Sequence, residues 1–336
     1  MKKIGVIILA AGQGTRMKSE KPKVCFDLAG KTLIERVVNT SYKLEADPVA
    51  VVVGYKKDLV KASIPPNEKL HFLTQERQLG TGDAVKSAKE LFKDFKGTVF
   101  VLCGDVPLLK KETLFKMLET HEKLNSKCTV LSMVLNEPDK YGRIVRDSVK
   151  RINSIVEYKD ASEEIRKIKE VNTGIYCFDA NILFKALEKV TNDNQQKEYY
   201  LTDVIKILYS ENQRIETVIL EDPLEASGIN SITQLAELER SHYQAIREYW
   251  MENGVYIENP DTVLIEEDVI IESDVYISAN TKVMGKSIIG ANSFIGNNSI
   301  IIDAHIDANS FFEGMNVVKD IKNEALKLKF LEKKGV

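Results

Sequence analysis

The feature that most constrains the fold lies late in the sequence, where an aliphatic residue recurs every six positions. The recurrence runs through Ile265, Ile271, Ile277, Val283, Ile289, Ile295 and Ile301, and after one five-residue step it resumes at Ile306, Phe312 and Val318. A hexapeptide period predicts a parallel β-helix, because three six-residue faces make one triangular coil and about three such coils fit these repeats. A few ordinary strands are the alternative, and the unbroken run of repeats argues against them.

The residues between the aliphatic positions fit the same prediction. Four residues after each repeat lies a small or β-branched residue that suits a tight corner, and these are Val269, Val275, Thr281, Ser287, Ser293 and Ser299. The sequence IKNEALKLKFLEKK follows the repeats and has the spacing of an amphipathic helix. We expect that helix to cover the open end of the β-helix.

The sequence before residue 225 has a different hydropathy pattern, in which short apolar runs alternate with helical patterns. The apolar runs are Ile4–Leu9, Val49–Val53, Leu70–Leu73 and Val99–Leu102, and examples of the helical patterns are Thr32–Leu44 and Asp83–Phe92. Such alternation predicts a Rossmann-like α/β fold with a mostly parallel sheet and helices on both faces. Ligands of these folds bind outside the carboxyl ends of the strands.

Four segments follow from these patterns. We expect an α/β domain over residues 1–228, a linker helix over 229–252, a short β-helix over 253–320 and a capping helix over 321–336. The linker helix is predicted from the apolar spacing within Ser231–Glu252.

Composition excludes several classes of protein. The net charge of −3 gives no indication of a nucleic-acid partner, which would favour a strongly basic surface, and no run of 18 apolar residues predicts a membrane span. The four cysteines lie far apart, which indicates buried thiols in a reducing compartment. The N-terminal MKKIGVIILAAG has some features of a signal peptide, but the glycine loop needs the preceding strand to be retained. We therefore expect a cytoplasmic protein.

The glycine-rich stretch LAAGQGTRMKSEKPK, from Leu9 to Lys23, follows the first predicted strand. It lacks the Gly-Lys-Ser/Thr of a Walker A loop, and Met17 stands where the dinucleotide fingerprint needs a glycine. Gly12 and Gly14 allow backbone N–H groups to approach phosphates, and Arg16 and Lys23 can neutralise their charge. Taken alone, the stretch is equally compatible with a turn that carries two solvated basic residues.

Further motifs resolve this ambiguity. After LAAGQGTRM and KPK come QERQLGTGDAV (Gln75–Val85), GDVPLL (Gly104–Leu109), YGRI (Tyr141–Ile144), IVEYKDAS (Ile155–Ser162), NTGIY (Asn172–Tyr176), EYYLTD (Glu198–Asp203) and GIN (Gly228–Asn230). In this order they resemble the sugar-nucleotide pyrophosphorylases, and most closely the bacterial UDP-N-acetylglucosamine pyrophosphorylases, the uridylyltransferase part of the bifunctional GlmU enzymes. The chain departs from the family's PKVLH, since Cys25 and Phe26 stand in the last two places.

The resemblance implies which residues bind the substrates. The positions that match nucleotide or sugar contacts are Leu9, Ala10, Ala11, Gly12, Gly14, Lys23, Gln75, Gly80, Thr81, Cys103, Gly104, Gly142, Glu157, Asn172 and Asn230. The Gln75 amide would read the edge of uracil, and the backbone of Gly80 and Thr81 would complete that pocket. Gly142, Glu157 and Asn172 would contact N-acetylglucosamine. Tyr199, Tyr200 and Thr202 also match and are expected to form packing or pocket wall.

The resemblance also implies a cofactor and a mechanism. Asp105 and Asn230 match the family's two protein ligands for Mg²⁺, and substrate and water would supply the other ligands. Arg16 and Lys23 are the expected catalytic residues, which would stabilise charge while N-acetylglucosamine 1-phosphate attacks UTP. The sugar phosphate is itself a nucleophile, so no general base is needed, and the motifs contain no histidine.

Two alternatives and two expectations remain. The chain could use another sugar 1-phosphate or nucleotide, or it could be an inactive regulatory scaffold, although an inactive copy has no need of both metal ligands. The resemblance implies a left-handed β-helix that assembles a homotrimer. Because the repeats end near Val318 and His305 is the one histidine among them, we expect no acetyltransferase activity.

Overall fold

A computed structural model describes residues 3–319 of the protein. Within this range the chain divides into two compact units at Ser231/Ile232, and residues 27–31 group with the second unit. The predicted boundaries at residues 228 and 252 remain predictions. The predicted capping helix, residues 321–336, lies outside the described residues.

The elements up to Ser231 alternate as the sequence predicts. The strands are β1 (Lys3–Ala10), β2 (Asp27–Leu28), β3 (Lys31–Thr32), β4 (Val49–Val53), β5 (Leu70–Thr74), β6 (Gly97–Cys103), β7 (Cys128–Val134), β8 (Arg143–Arg146), β9 (Ile152–Val156), β10 (Glu170–Asp179) and β11 (Ile215–Leu220). The helices are α1 (Leu33–Lys43), α2 (Lys57–Ala62), α3 (Thr81–Lys86), α4 (Lys111–Lys123), α5 (Glu163–Arg166), α6 (Ala180–Leu187) and α7 (Asp203–Ser210).

One large sheet organises the first unit. Its strand order is β11-β7-β10-β6-β1-β4-β5, with β8 paired to β10 and β9 paired to β8. Along this path every strand points the same way except β10, which is antiparallel to β6 and to β7. The central position of β1 places the loop that follows it in the middle of the sheet's carboxyl edge.

The sheet is covered on both faces. Along β1, Val6 and Ile8 contribute to one hydrophobic core, while Ile7 contributes to the other. Successive side chains of a strand point to opposite faces, so an unbroken apolar run fills two cores at once. This confirms the predicted α/β fold. The regular helix predicted over Asp83–Phe92 is shorter, because α3 ends at Lys86 and the chain continues in hydrogen-bonded turns.

The second unit begins with a long helix and continues in very short strands. They are α8 (Ile232–Glu252), β12 (Tyr256–Ile257), β13 (Leu264–Ile265), β14 (Ile270–Ile271), β15 (Tyr276–Ile277), β16 (Lys282–Met284), β17 (Ile288–Ile289), β18 (Phe294–Ile295), β19 (Ile300–Ile302), β20 (His305–Ile306), β21 (Phe311–Phe312) and β22 (Val317–Lys319). No helix within residues 3–319 has the length and apolar character needed to cross a bilayer.

The short strands form three parallel sheets, which confirms the hexapeptide β-helix. Their orders are β12-β15-β18-β21, β13-β16-β19-β22 and β14-β17-β20. Pairing brings Val283 beside Ile265 and Ile301 beside Val283, which is one full coil at each step. The five-residue step is absorbed in the next coil, where Ile306 pairs with Ile289.

The repeating residues occupy the interior of this β-helix. The aliphatic positions from Ile265 to Ile306 are buried and form a core of their own. The corner positions Thr281, Ser287, Ser293 and Ser299 are also buried. Their hydroxyls are satisfied by the backbone, since Ser293 Oγ donates to the Asp307 carbonyl at 3.0 Å and Ser287 Oγ donates to the Met284 carbonyl at 2.7 Å.

An aromatic column runs along the outer face of one β-helix sheet. Tyr256, Tyr276, Phe294 and Phe311 occupy equivalent positions in successive coils, and their ring centroids are 4.6, 5.1 and 4.9 Å apart. The rings are nearly parallel, with interplanar angles of 16–25°. Parallel pairing of identical positions therefore produces a continuous stack that the six-residue period alone does not reveal.

Candidate active site

The candidate site lies where β1 and β6 end side by side. Leu9 of β1 pairs with Cys103 of β6, and the Gly104 N–H donates to the Leu9 carbonyl at 3.0 Å. The glycine loop and Asp105 therefore leave the same edge of the sheet. Between them is a cavity of about 310 Å³, lined by Leu9, Ala10, Gly12, Gly14, Thr15, Arg16, Lys23, Val24, Asp105 and Asn230.

The two glycines of the loop have different structural roles. Gly14 has φ of +68°, and a Cβ built there would lie 2.6 Å from the Lys23 Cβ. A larger residue would therefore strain the backbone and displace Lys23. A Cβ on Gly12 would meet no atom within 4 Å, so the space above Gly12 is open to a ligand. The Gln78 amide donates to the Ala11 carbonyl at 2.9 Å and steadies the start of the loop.

Two cationic side chains of this cavity contact the side-chain oxygens of Asp105 and Asn230. Arg16 Nη2 donates to Asn230 Oδ1 at 2.7 Å, and Lys23 Nζ donates to the same oxygen at 3.0 Å. Lys23 Nζ also forms a short salt bridge with the Asp105 carboxylate. The residues predicted to be catalytic and those predicted to bind metal are thus brought together by the fold, although Arg16 and Asn230 are 214 positions apart.

The oxygen donors fit a hard divalent cation. Asp105 and Asn230 offer a carboxylate and an amide oxygen, which are ligand types that Mg²⁺ prefers. Both oxygens contact the Lys23 ammonium group, so a positive charge is already favoured between them. Within residues 3–319, no group of three or more His, Cys, Asp and Glu side chains could hold a metal ion. A cation here would take its remaining ligands from substrate and water.

Gln75 is held at the end of β5 beside a second cavity. Its side chain is buried, and Nε2 donates both to the Gly80 carbonyl at 3.1 Å and to Asp83 Oδ2 at 2.7 Å. The cavity has a volume of about 450 Å³ and is lined by Gly54, Tyr55, Lys56, Lys57, Asp58, Thr74, Gln75, Glu76 and Gln78. Gln75 is therefore anchored on one side and borders open space on the other.

The loop after Gln75 is fixed by backbone geometry. Gly80 has φ of +116°, and a Cβ there would lie 2.6 Å from the Tyr199 carbonyl oxygen. Thr81 accepts a hydrogen bond from the Leu201 N–H at 3.0 Å through its hydroxyl. The backbone of EYYLTD thus contacts the loop, and the expected role of Tyr199 as packing or pocket wall stays a prediction.

Three residues predicted to contact the sugar also meet in space. A Cβ on Gly142 would lie 3.4 Å from Glu157 Oε2, and the Asn172 N–H donates to the Gly142 carbonyl at 2.9 Å. Thr202, expected to form packing or pocket wall, donates its hydroxyl to Glu157 Oε1 at 3.2 Å. Burial raises the pKa of the Glu157 carboxyl, and the Thr202 hydrogen bond opposes this shift only in part. The carboxylate is therefore held in a partly desolvated position.

Asn172 and Cys103 are occupied mainly by protein contacts. The Asn172 amide donates to the Tyr176 hydroxyl at 2.7 Å, and its oxygen accepts from the Gly174 N–H at 3.2 Å. The Cys103 thiol donates to the Gly174 carbonyl at 3.4 Å, and burial raises its pKa to about 12. Cys103 therefore stays protonated and unreactive at neutral pH.

Asp83 and Arg143 are among the residues of the quoted motifs that were not assigned a role from the sequence. Asp83 of QERQLGTGDAV binds the Gln75 amide, and Arg143 of YGRI is buried with its guanidinium donating to backbone carbonyls. One of these bonds goes to the Asp139 carbonyl at 2.9 Å and another to the Arg166 carbonyl at 3.2 Å. For Arg143 the available signal was its place beside Gly142, the glycine predicted to contact the sugar, but its backbone partners are visible only in the fold.

Comparisons with known proteins agree with this geometry. The sequence matches the family described as Nucleotidyl transferase over residues 5–258 and the bacterial transferase hexapeptide family over residues 268–303. Among solved structures, UDP-glucose pyrophosphorylase complexed with UDP-glucose aligns with a TM-score of 0.60 and 19% identity over 73% of this chain and 100% of that chain. At that identity the likeness supports the fold alone.

Similar sequences include three proteins named bifunctional protein GlmU. The protein of Shouchella clausii is 45% identical over 262 residues, which are 78% of this chain and 57% of that protein. The protein of Brevibacillus brevis is 44% identical over 80% of this chain and 58% of its own length. The protein of Acetivibrio thermocellus is 44% identical over 78% of this chain and 56% of its own length.

The chain therefore spans less than two thirds of the length of these relatives. The Nucleotidyl transferase match nevertheless covers most of the chain, and it includes the glycine loop, Asp105 and Asn230. The chain belongs to the nucleotidyl transferase family and carries bacterial transferase hexapeptide repeats after its catalytic-type domain.

Proposed function

We propose that the protein transfers the uridylyl group of UTP to N-acetylglucosamine 1-phosphate, giving UDP-N-acetylglucosamine and pyrophosphate. The observation that carries the proposal is the meeting of Arg16 and Lys23 with Asp105 and Asn230 beside the glycine loop. The similarity to proteins named GlmU supports the choice of substrates. A pyrophosphorylase that uses another sugar 1-phosphate is the alternative.

The proposed reaction is a single displacement at phosphorus. A phosphate oxygen of the sugar phosphate forms a bond to the α-phosphorus of UTP, and the bond to the bridging oxygen breaks and releases pyrophosphate. The nucleophile is already anionic, so the protein has no proton to remove. Its work is to align the two substrates and to stabilise charge that moves onto the leaving group.

The cationic residues suit that work. Lys23 is constrained by its contacts with Asp105 and Asn230, and Arg16 shares the Asn230 oxygen. We propose that, when UTP binds above Gly12, both side chains donate some of their hydrogen bonds to its phosphates. Asp105 and Asn230 would hold Mg²⁺, which supplies positive charge to the phosphate oxygens when it is bound.

The remaining predicted residues would select the substrates. Gln75 and the backbone of Gly80 and Thr81 would bind the base, close to the cavity bordered by Gln75. Gly142, Glu157 and Asn172 would bind the sugar, with the Glu157 carboxylate accepting hydrogen bonds from sugar hydroxyls. Thr202 orients that carboxylate through its hydroxyl.

A substrate panel tests the proposed function. Pyrophosphate release is measured with UTP, CTP, ATP and GTP, each paired with the 1-phosphates of N-acetylglucosamine, glucose and glucosamine in the presence of Mg²⁺. We expect the highest kcat/KM for UTP with N-acetylglucosamine 1-phosphate. A higher value for another pair would replace the substrate assignment, and no release from any pair would favour the inactive scaffold.

The proposal also includes a role for the β-helix. We propose that it serves assembly into a homotrimer and carries no acetyltransferase activity. His305, the histidine of the repeats, begins β20 and pairs with Ile288. Its side chain is 67% exposed, and Nε2 lies 3.9 Å from Asp307 Oδ1. Thiol release from acetyl-coenzyme A with glucosamine 1-phosphate should stay at background, and release at a rate comparable to uridylyl transfer would contradict this.

We also propose that the protein is located in the cytoplasm, where UTP is available.

A further inference from the structure

The Gln75 side chain is fixed in one orientation by its two neighbours. Nε2 has two hydrogens, and they are donated to the Gly80 carbonyl at 3.1 Å and to Asp83 Oδ2 at 2.7 Å. Both partners are acceptors, so chemistry requires the NH₂ group, not the amide oxygen, to face them. Gln75 Oε1 is then the atom left for a ligand, and none of the residues in the described range 3–319 donates a hydrogen bond to it.

An amide fixed in this way presents an acceptor only. Uracil carries an N–H at N3, which can donate to Oε1, whereas cytosine carries a lone pair at N3, which would be repelled. A freely rotating glutamine would tolerate both bases, because a 180° turn exchanges its oxygen for its NH₂ group. Selection of uracil therefore depends on what prevents the turn.

Asp83 is the group that prevents it. If the amide turned, Oε1 would face the Asp83 carboxylate and the Gly80 carbonyl, and two favourable hydrogen bonds would become two repulsions. The contact with the carboxylate is the more costly of the two, because its partner carries a full charge. Specificity often rests on such an unfavourable contact in the wrong state.

We propose that Asp83 is a specificity-determining positioning residue, which makes the site select uracil over cytosine by holding the Gln75 amide in its acceptor orientation. The inference rests on the proposed function, since it assumes that Gln75 meets the base of the nucleotide substrate. Asp83 itself would not touch the base. Its position in the first turn of α3, after the positive-φ residue Gly80, brings its carboxylate back to the end of β5.

Binding of UTP and of CTP tests the proposal separately from turnover. Isothermal titration in Mg²⁺ gives the ratio of the two dissociation constants for the wild type, Asp83→Ala and the isosteric Asp83→Asn. Asn can donate to Oε1, so it permits the turned amide without changing the shape of the site. We expect the preference for UTP to fall by at least about tenfold in both variants, mainly because CTP binds more tightly.

Two further variants show whether the effect passes through Gln75. In a Gln75→Ala background, Asp83→Ala should leave the remaining UTP-to-CTP ratio unchanged, because no amide is left to orient. Glu90→Gln is the matched control, since Glu90 is an exposed carboxylate further along the chain that pairs with Lys93. It should retain the wild-type ratio.

The outcomes separate this inference from the proposed function. A ratio within twofold of the wild type in both Asp83 variants would overturn the role of Asp83, as would equal weakening of both nucleotides. A wild type without any preference for UTP would also overturn it. If the wild type prefers UTP by binding but releases no pyrophosphate with N-acetylglucosamine 1-phosphate, the proposed reaction fails and the role of Asp83 stands.

Discussion

At the scale of single residues, Lys23 holds the candidate site together. Its ammonium group contacts Asp105 and Asn230, and its Cβ occupies the space that only a glycine at position 14 leaves open. The sequence identifies Lys23 as a basic residue near a glycine loop. It does not show that the same side chain contacts both predicted metal ligands. The neighbouring strands β1 and β6 bring Asp105 to the glycine loop, and the Ile229 N–H, which donates to the Asp105 carbonyl at 3.1 Å, holds Asn230 beside it.

Removing the Asp105 carboxylate should nearly abolish turnover. Asp105→Ala deletes one of two proposed protein ligands for Mg²⁺ and the ion-pair partner of Lys23. The loss of transition-state stabilisation should amount to several kcal/mol, on the order of that attributed to bound metal ions. The measurement is kcat/KM for pyrophosphate release at saturating Mg²⁺, with thermal unfolding as a check on folding.

A matched control is available on the surface. Asp193 is exposed and its carboxylate lies 3.7 Å from Lys197, so Asp193→Ala should keep wild-type activity. If a folded Asp105→Ala variant kept more than about a tenth of wild-type activity, the proposed metal role would be wrong.

We expect the ionisation of Glu157 to make the thermal stability of the protein depend on pH. Burial raises the pKa of its carboxyl above the ordinary value of 4.5, so the ionised form is disfavoured in the folded protein. The resulting penalty is present at neutral pH and is lost as the pH falls toward 4.5. Glu157→Gln removes the charge, so the variant should unfold at a higher temperature than the wild type at pH 7.

The comparison of pH values makes this prediction specific. Thermal unfolding of both proteins at pH 7 and at pH 4.5 should show a gap in melting temperature that narrows at the lower pH. An equal gap at both pH values would mean that ionisation of Glu157 is not its cause. We also expect the variant to have a higher KM for the sugar phosphate, because the neutral amide is a weaker acceptor.

At the scale of elements, the β-helix strands are too short to be recognised one by one. Most contain two residues, and their register is set by the period of the whole run. The inward aliphatic positions were predictable because the core requires them at every sixth residue. The stack of outward aromatic rings was not predicted, since it depends on the coil spacing that pairs Tyr276 with Phe294 and Phe294 with Phe311.

We expect the rings of the stack to contribute unequally to the free energy of unfolding of the β-helix. Phe294 lies between two rings, at 5.1 Å from Tyr276 and 4.9 Å from Phe311, whereas Phe311 has one stacked neighbour among residues 3–319. Stacked pairs contribute about 0.5–1.5 kcal/mol each beyond their buried area. Phe294→Ala should therefore lower the free energy of unfolding of the β-helix roughly twice as much as Phe311→Ala.

Urea unfolding of the full chain, followed by tyrosine fluorescence, measures this difference. Phe311→Ala is the built-in control, because it deletes the same type of side chain from the last ring of the column within residues 3–319. Equal losses in the two variants would show that the stack adds nothing beyond burial.

At the scale of the whole molecule, we expect the β-helix to assemble the protein as a trimer. Its outer faces expose apolar side chains, including Ile270, which is 54% exposed, and Val317, which is 72% exposed. Ile270 belongs to the β14-β17-β20 sheet and Val317 to the β13-β16-β19-β22 sheet, and exposed apolar side chains on such faces are suited to pack against another copy. Sedimentation equilibrium at micromolar concentration should give the mass of three chains.

Two charge substitutions sharpen the test. Ile270→Glu should weaken the trimer, whereas Leu224→Glu should not, although Leu224 of the first unit is also 54% exposed. A monomer or a dimer of the wild type would contradict the prediction. So would a trimer that both substitutions leave intact.

The sequence by itself determined the architecture and the family. A six-residue period admits a β-helix and little else, and the alternation of buried strands with amphipathic helices implies a sheet covered on both faces. The motifs were sufficient to name every residue that lines the candidate site except Thr15 and Val24. These properties are local or periodic, so they can be read along the chain.

Only the tertiary structure decided how those residues act on one another. Lys23 and Asn230 are 207 positions apart, yet their side chains lie 3.0 Å from each other. The orientation of Gln75 depends on Asp83, and the environment of Glu157 depends on Thr202. Hydrogen bonds act over about 3 Å, so their partners are fixed by strand pairing and by the packing of loops, which sequence spacing does not encode.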